Sequence, residues 1–127
     1  MYRCSLAAAV AIAFALSASA QALRTFPPTA LRGAVVFGEY PQVKLNGRAT
    51  SLSPGARVRS QDNTIVMAAT LAGSRLLVHY TLDTGGQQLR DVWILRPEEA
   101  AIRPWPSTPE EAQSWTYDPN TQTWARP

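Results

Sequence analysis

Arg75-Leu76-Leu77-Val78-His79-Tyr80-Thr81-Leu82, then Gly85-Gly86, then Leu89-Arg90-Asp91-Val92-Trp93-Ile94-Leu95: two runs rich in aliphatic and aromatic residues flank a pair of glycines. Such residues fit a pleated, half-buried surface, and glycines supply the positive φ of a tight reversal. The stretch therefore reads as an antiparallel hairpin. With Gly85-Gly86 as a two-residue loop, Leu82 faces Leu89, Val78 faces Trp93 and Leu76 faces Leu95. On the opposite side Leu77 pairs with Ile94 and His79 with Val92. Both sides are apolar near the middle, which puts this hairpin at the centre of the core; a slip of one residue would give other pairs.

The same kind of pattern extends back to Arg32. Ala34 to Phe37 is a first strand, and Val43 to Leu45 and Arg48 to Leu52 flank Asn46-Gly47, the residue pair that suits a type I′ turn. Ser53-Pro54-Gly55-Ala56 has the residues of a type II turn and is expected to reverse the chain into Arg57 to Ser60. Gln61-Asp62-Asn63 is a further turn. Thr64 to Leu71 is apolar or small on both faces, as in a doubly covered central strand. Six or seven strands within some 65 residues need closure or a second layer to hide their apolar face and edges. The fold class is mainly β, a small antiparallel barrel or sandwich over residues 32–96, with the barrel favoured.

Beyond Arg96 the composition changes. Six of the ten prolines lie in residues 97–127, together with Trp105, Trp115, Tyr117 and Trp124. Pro97-Glu98-Glu99-Ala100-Ala101 suits a short helix with Pro in its first turn. Thr108-Pro109-Glu110-Glu111 is a capping box with Thr108 as N-cap, Pro109 at N1 and Glu111 at N3. Tyr117-Asp118-Pro119-Asn120-Thr121 is a turn that would bring Trp115 or Tyr117 to Trp124 in a terminal hairpin. This is an ordered Pro/Trp-rich tail with short C-terminal helices.

At the other end, Met1 to Arg3 is a short basic start, Ser5 to Leu16 an apolar run of 12 residues, and Ala18-Ser19-Ala20 a small-residue cleavage site. That is the pattern of a secretory signal peptide over residues 1–20, since a spanning helix needs about 20 apolar residues. Residues 21–31 form an N-terminal extension. The sole cysteine, Cys4, would leave with the signal, so no disulfide, thiol nucleophile or thiolate metal site is expected. Subtracting Arg3 leaves 11 basic and 9 acidic side chains, net +2, too small a charge to argue for nucleic acid or a membrane surface. No segment of the mature chain reads as transmembrane. The protein is expected in the periplasm or secreted.

The strings Leu76–Leu82, Arg90–Leu95, Arg103-Pro104-Trp105-Pro106 and Thr108-Pro109-Glu110-Glu111 resemble small exported proteins of unknown function in Gram-negative bacteria. The resemblance spans nearly the whole mature chain and implies location and compactness. It carries no activity, ligand or catalytic residue.

Candidate sites are few. His79 is the only histidine, so a Ser-His-Asp triad would be built around it, with Asp91 or Asp83 to orient it and Ser74 or Ser60 as nucleophile. No nucleophile elbow supports this, and a half-buried strand histidine accounts for the residue as well. Glu98-Glu99 and Glu110-Glu111 suit helix first turns facing the dipole better than paired catalytic carboxylates. Asp62, Asn63 and Asp83 match no calcium loop, and the scattered glycines form no phosphate loop. No cofactor and no metal are expected. The tail aromatics remain: Trp105, Trp115, Tyr117 and Trp124 could stack on sugars or anchor a protein, or they could wrap the barrel and enlarge its core. The expectation is a non-enzymatic cell-envelope binding or accessory module, engaging a protein partner ahead of a glycan, with these four residues as its binding site. The alternative from another class is a small hydrolase using His79.

Overall fold

The computed structural model describes residues 24–127, and the export signal expected over residues 1–20 lies outside them. In chain order the elements are β1 (Leu31–Phe37), β2 (Gln42–Leu45), β3 (Arg48–Arg59), β4 (Ile65–Val66), a 3₁₀ turn (Ala68–Leu71), β5 (Arg75–Leu82), β6 (Leu89–Ile94), α1 (Pro97–Ala100), α2 (Pro109–Ser114), β7 (Thr116–Asp118) and β8 (Thr123–Ala125). The sheet order β2-β1-β5-β6-β3, with β2 also paired to β3, closes a five-stranded barrel. Closure leaves no open edge among these five strands, as the sequence requires for so many short apolar runs. All pairs are antiparallel except β3 with β6.

Closure depends on Ser53-Pro54-Gly55-Ala56, and here the structure corrects the expected reversal. β3 runs unbroken through these residues, Gly55 has φ of 79°, and the pairing with β6 shifts register between Leu52 and Arg57. The glycine serves a bulge rather than a turn. A bulge bends its strand, so β3 pairs with β2 through Arg48 to Ser51 and with β6 through Arg57 to Arg59. By contrast Asn46-Gly47 forms the expected hairpin turn, with φ of 52° and 84° and Leu45 opposite Arg48.

Thr64 to Leu71 is not a central strand. Only Ile65 and Val66 pair, at the far edge of β3, and Ile65 and Met67 are exposed. Ala68 to Leu71 coil into the 3₁₀ turn. Small and apolar residues on both faces suit a short linker at a sheet edge equally well, because periodicity alone does not fix the element.

The β5–β6 hairpin has the expected central position, with one change of register. Leu82 faces Leu89 as expected, but a bulge follows, and beyond it Thr81 faces Asp91, Tyr80 faces Val92, His79 faces Trp93 and Val78 faces Ile94. The turn itself is built by Asp83, whose carbonyl accepts the Gly86 N–H and whose Oδ1 accepts the N–H groups of Gln87 and Gln88. A one-residue offset swaps the faces of a strand. Val92 and Ile94 thus point into the barrel with Val78 and Tyr80, and Trp93 points out beside His79.

The inner and outer faces of this hairpin seed two separate cores. Inside the barrel lie Leu31, Val35, Phe37, Val43, Leu52, Val58, Val78, Tyr80, Leu89, Val92 and Ile94. Outside it Phe26, Ala30, Leu95, Trp105 and Trp124 form a second buried cluster, with Trp93, Trp115 and Tyr117 packed against them. The tail is fixed there by hydrogen bonds as well as rings: the Trp105 indole donates to Ala30 O, and Arg32 N donates to Pro106 O. In the terminal hairpin Tyr117 faces Trp124, their ring centroids 4.9 Å apart.

Candidate functional site

The mouth of the barrel, where β1 begins, β5 ends and β6 starts, carries a groove in two lobes. One lobe, about 710 Å³, is walled by Pro27, Pro28, Leu31, Leu82, Pro109 and Ala112, with Thr81, Arg90 and Asp91 at its polar margin. The other, about 650 Å³, is mostly polar and takes Asn46, Arg48 and Thr50 from the β2–β3 hairpin, Gln87 from the β5–β6 loop, and Ser107 and Glu110 from the tail. Leu82 and Pro109 line both lobes.

Local chemistry holds these walls in place. Thr108 caps α2 by accepting the Glu111 N–H, as the sequence indicates, with Pro109 in the first turn. The reciprocal arm of the expected box goes elsewhere: Glu111 Oε1 accepts from the backbone N–H and hydroxyl of Ser107. Ser107 O in turn accepts from the Tyr80 hydroxyl, 2.9 Å away, which ties the tail to the barrel wall. Burial pushes that phenol up to about 12, so it remains a donor. Across the groove Thr50 Oγ1 donates to Gln87 O and Gln88 Nε2 to Ser51 Oγ, which pin the β5–β6 loop to β3.

The four tail aromatics do not form the stacking surface expected of them. Trp105 and Trp124 are buried, and Trp115 and Tyr117 are half-buried against them. The physical cause lies in the register of β5–β6. Trp93 and His79 present a ring-rich outer face, on which Trp105 of the tail stacks over His79 at 4.1 Å and Phe26 of the N-terminal extension meets the same imidazole edge to face at 4.3 Å.

His79 sits under this layer at 1% exposure. Arg32 Nε and Nη2 lie 3.2 and 3.0 Å from its Nε2. A guanidinium only donates, so Nε2 accepts and the ring proton resides on Nδ1. Burial first, then the Arg32 charge, pushes the imidazole down to about 3. The proposed triad partners are elsewhere: Asp91 bonds Thr81 and Arg59, Ser60 bonds Asp62 and Thr64, and Asp83 organises its own turn. His79 has no hydroxyl or carboxylate among its hydrogen-bond partners in the described residues.

Beside it is a buried ionic cluster that the sequence does not reveal. Glu99, 1% exposed, accepts from Arg24 Nε and Nη2 at 2.8 and 2.6 Å, from Arg96 Nη2 at 3.3 Å and from the Arg96 backbone N–H at 2.8 Å. Burial alone would raise this carboxyl, but the Arg24 and Arg96 bonds together hold it below its ordinary range. Arg32 spends its remaining donors on the carbonyls of Glu99, Ala100 and Ile102 at the end of α1. Every guanidinium nitrogen of Arg24 and Arg32 is thus engaged, and between them they tie the tail at Glu99, Ala100 and Ile102 to Ser60, His79 and Ile94 of the barrel. Glu98 and Glu99 share a helix first turn but not a role, since Glu98 is exposed.

Among the described residues no group of three or more His, Cys, Asp or Glu could hold a metal ion, and no helix is long and apolar enough to cross a membrane. No protein-family model, no curated protein and no solved structure matches the chain.

Proposed function

We propose that the mature chain is a non-enzymatic binding module of the cell envelope, periplasmic or secreted, that takes an extended segment of a protein partner into the groove at the barrel mouth. The observation that carries this reading is the pair of lobes meeting at Leu82 and Pro109, one apolar and one rich in hydrogen-bonding groups. Binding sites combine an apolar surface with a few placed polar groups. An extended peptide supplies both, with apolar side chains for the Pro27–Leu31 side and backbone amides for Asn46, Thr50 and Gln87. The amino-terminal signal pattern supports the location. The glycan alternative loses its strongest support with the burial of Trp105 and Trp124. The hydrolase alternative needs substrate to reach His79 through the aromatic layer.

A photo-crosslinking residue placed in the full chain at Gln113, on the apolar lobe, or at Gln87, on the polar lobe, tests the reading in living cells. Both positions should trap one protease-sensitive adduct of the same mass, and Ala69 on the far 3₁₀ turn should not. No adduct at either lobe, or equal adducts at Ala69, overturns the proposal. An adduct resistant to protease and sensitive to glycosidase would replace the protein partner with a glycan.

A further inference from the structure

The tail covers the outer wall of β1 and β5 at Arg32 and His79, but further along the wall Val36, Lys44, Arg75 and Leu77 of β1, β2 and β5 are exposed, and the composition there is one-sided. Val36 on β1 lies between Lys44 on β2 and Arg75 on β5, as the register pairs them. One step along, Ala34 pairs with Leu77. Alternation along each strand turns Val35, Val43 and Val78 into the barrel and these residues outward. Val36 is 36% and Leu77 42% exposed, the largest apolar exposures on the barrel strands themselves apart from Ile65 of the edge strand β4. Among the described residues Lys44 and Arg75 are exposed and make no hydrogen bond or ion pair, a state they share with Arg48, Arg57 and Arg90 on the other barrel strands. Among the described residues no carboxylate stands at an outward position of β1, β2 or β5.

We infer that this wall is a docking surface for an acidic, apolar segment of a partner protein, with carboxylates on Lys44 and Arg75 and an apolar side chain over Val36 and Leu77. Adjacent strands lie about 4.8 Å apart, so the two cations stand on backbones about 10 Å apart with the apolar pair between them. In an extended chain only every second side chain faces the wall, so two carboxylates four residues apart with an apolar residue midway span about 13 Å and meet the two cations within reach of their long side chains. Two unpaired cations on a surface without acids give charge complementarity to such a segment, and apolar contact supplies the area that steering alone lacks. A membrane surface fits less well, because two basic residues contribute only about 1 kcal/mol each towards anionic lipid. None of these residues lines the groove at the barrel mouth, so the surface stands apart from the function proposed above.

The test uses the mature protein and three synthetic peptides in which Glu, Ser or Lys takes turns with Leu at every second position, with Ser at the positions between (the Glu-Leu, Ser-Leu and Lys-Leu peptides), followed by amide chemical shifts. Only the Glu-Leu peptide should bind, with shifts grouped at Ala34, Val36, Lys44, Arg75 and Leu77 and with affinity falling as salt rises. Lys44→Glu with Arg75→Glu should weaken it at least tenfold, and Arg48→Glu with Arg90→Glu, which alter the groove instead, should leave it unchanged. Both double variants change exposed side chains, and a native spectrum confirms that each is folded. Equal binding of the three peptides, shifts confined to the groove, or no loss in the Lys44/Arg75 variant overturns the inference. Binding to phosphatidylglycerol vesicles without binding to the Glu-Leu peptide also overturns it.

Discussion

The inside of the barrel and the layer outside β5–β6 are both buried, yet they are made of different matter. The interior is aliphatic, with Val35, Val43, Val58, Val78, Val92, Leu52 and Leu89 around Phe37 and Tyr80. The outer layer is built of Phe26, Trp93, Trp105 and Trp124 around His79, and it encloses the Arg24–Glu99 ion pair and the Arg32–His79 contact. Strands alternate their side chains, so one hairpin can supply both. The interior is held by area removed from water, which is indifferent to pH. The outer layer depends on the protonation of two groups. The tail is therefore no appendage: it completes a face that β5 and β6 would otherwise expose.

The sharpest test of that comparison sets one residue of each core against the other. Phe37→Ala inside and Trp105→Ala outside should each cost about 3–5 kcal/mol in chemical denaturation, the range for a buried ring removed from a packed core. A loss under about 1 kcal/mol for Trp105→Ala would mean that the outer layer adds little. Next in size, Glu99→Gln should cost about 3 kcal/mol, because it leaves the Arg24 guanidinium buried without its counter-charge. The same measurement on Glu98→Gln, an exposed neighbour, should show almost no change.

A pH series separates the two cores without mutation. The neutral imidazole of His79 is the form the fold favours, with its pKa near 3 against an ordinary value of 6.5. Its stabilising contribution is complete above pH 6.5 and is lost as pH falls towards 3. Between pH 6.5 and 5 the loss should be about 2 kcal/mol, from about 1.4 kcal/mol per unit. Since His79 is the only histidine, His79→Gln should flatten that interval. Glu99, held low by its arginines, adds its own loss in the same direction below the ordinary carboxylate range. The smallest effect is local: Thr108→Ala should cost about 1 kcal/mol through the lost cap on α2. It should also loosen the groove wall at Pro109 without changing the barrel interior, which amide exchange in α2 and β5 would resolve.

Much of this architecture was legible in particular residues. Asn46-Gly47 marked its turn, the Leu76–Leu82 and Leu89–Leu95 runs marked the central hairpin, and Thr108-Pro109 marked the start of α2. Two bulges were not legible, because a bulge and a turn use the same residues. Gly55 bends β3 where the sequence suggested a reversal, and the offset beyond Leu82 sets Trp93 opposite His79 where the sequence suggested Val78. That offset decides the fate of the tail rings, whose burial follows from the ring-rich outer face it creates. The groove was not legible either, since its walls come from the N-terminal extension, two hairpin turns, β6 and α2. Glu99 was readable as a first-turn carboxylate but not as the centre of an ion cluster, because Arg24 lies 75 residues away in sequence.

All four tryptophans, Trp93, Trp105, Trp115 and Trp124, belong to the outer layer, and none lies inside the barrel. Tryptophan emission therefore follows the outer layer alone, while the methyl signals of Val35, Val78 and Val92 follow the interior. Denaturant unfolding recorded with both probes tests directly whether the barrel and its tail are one structure. Coincident midpoints and slopes are the expected result, as for a single cooperative unit. A tryptophan transition at clearly lower denaturant, with the valine signals still native, would contradict it and make the tail a separable cover.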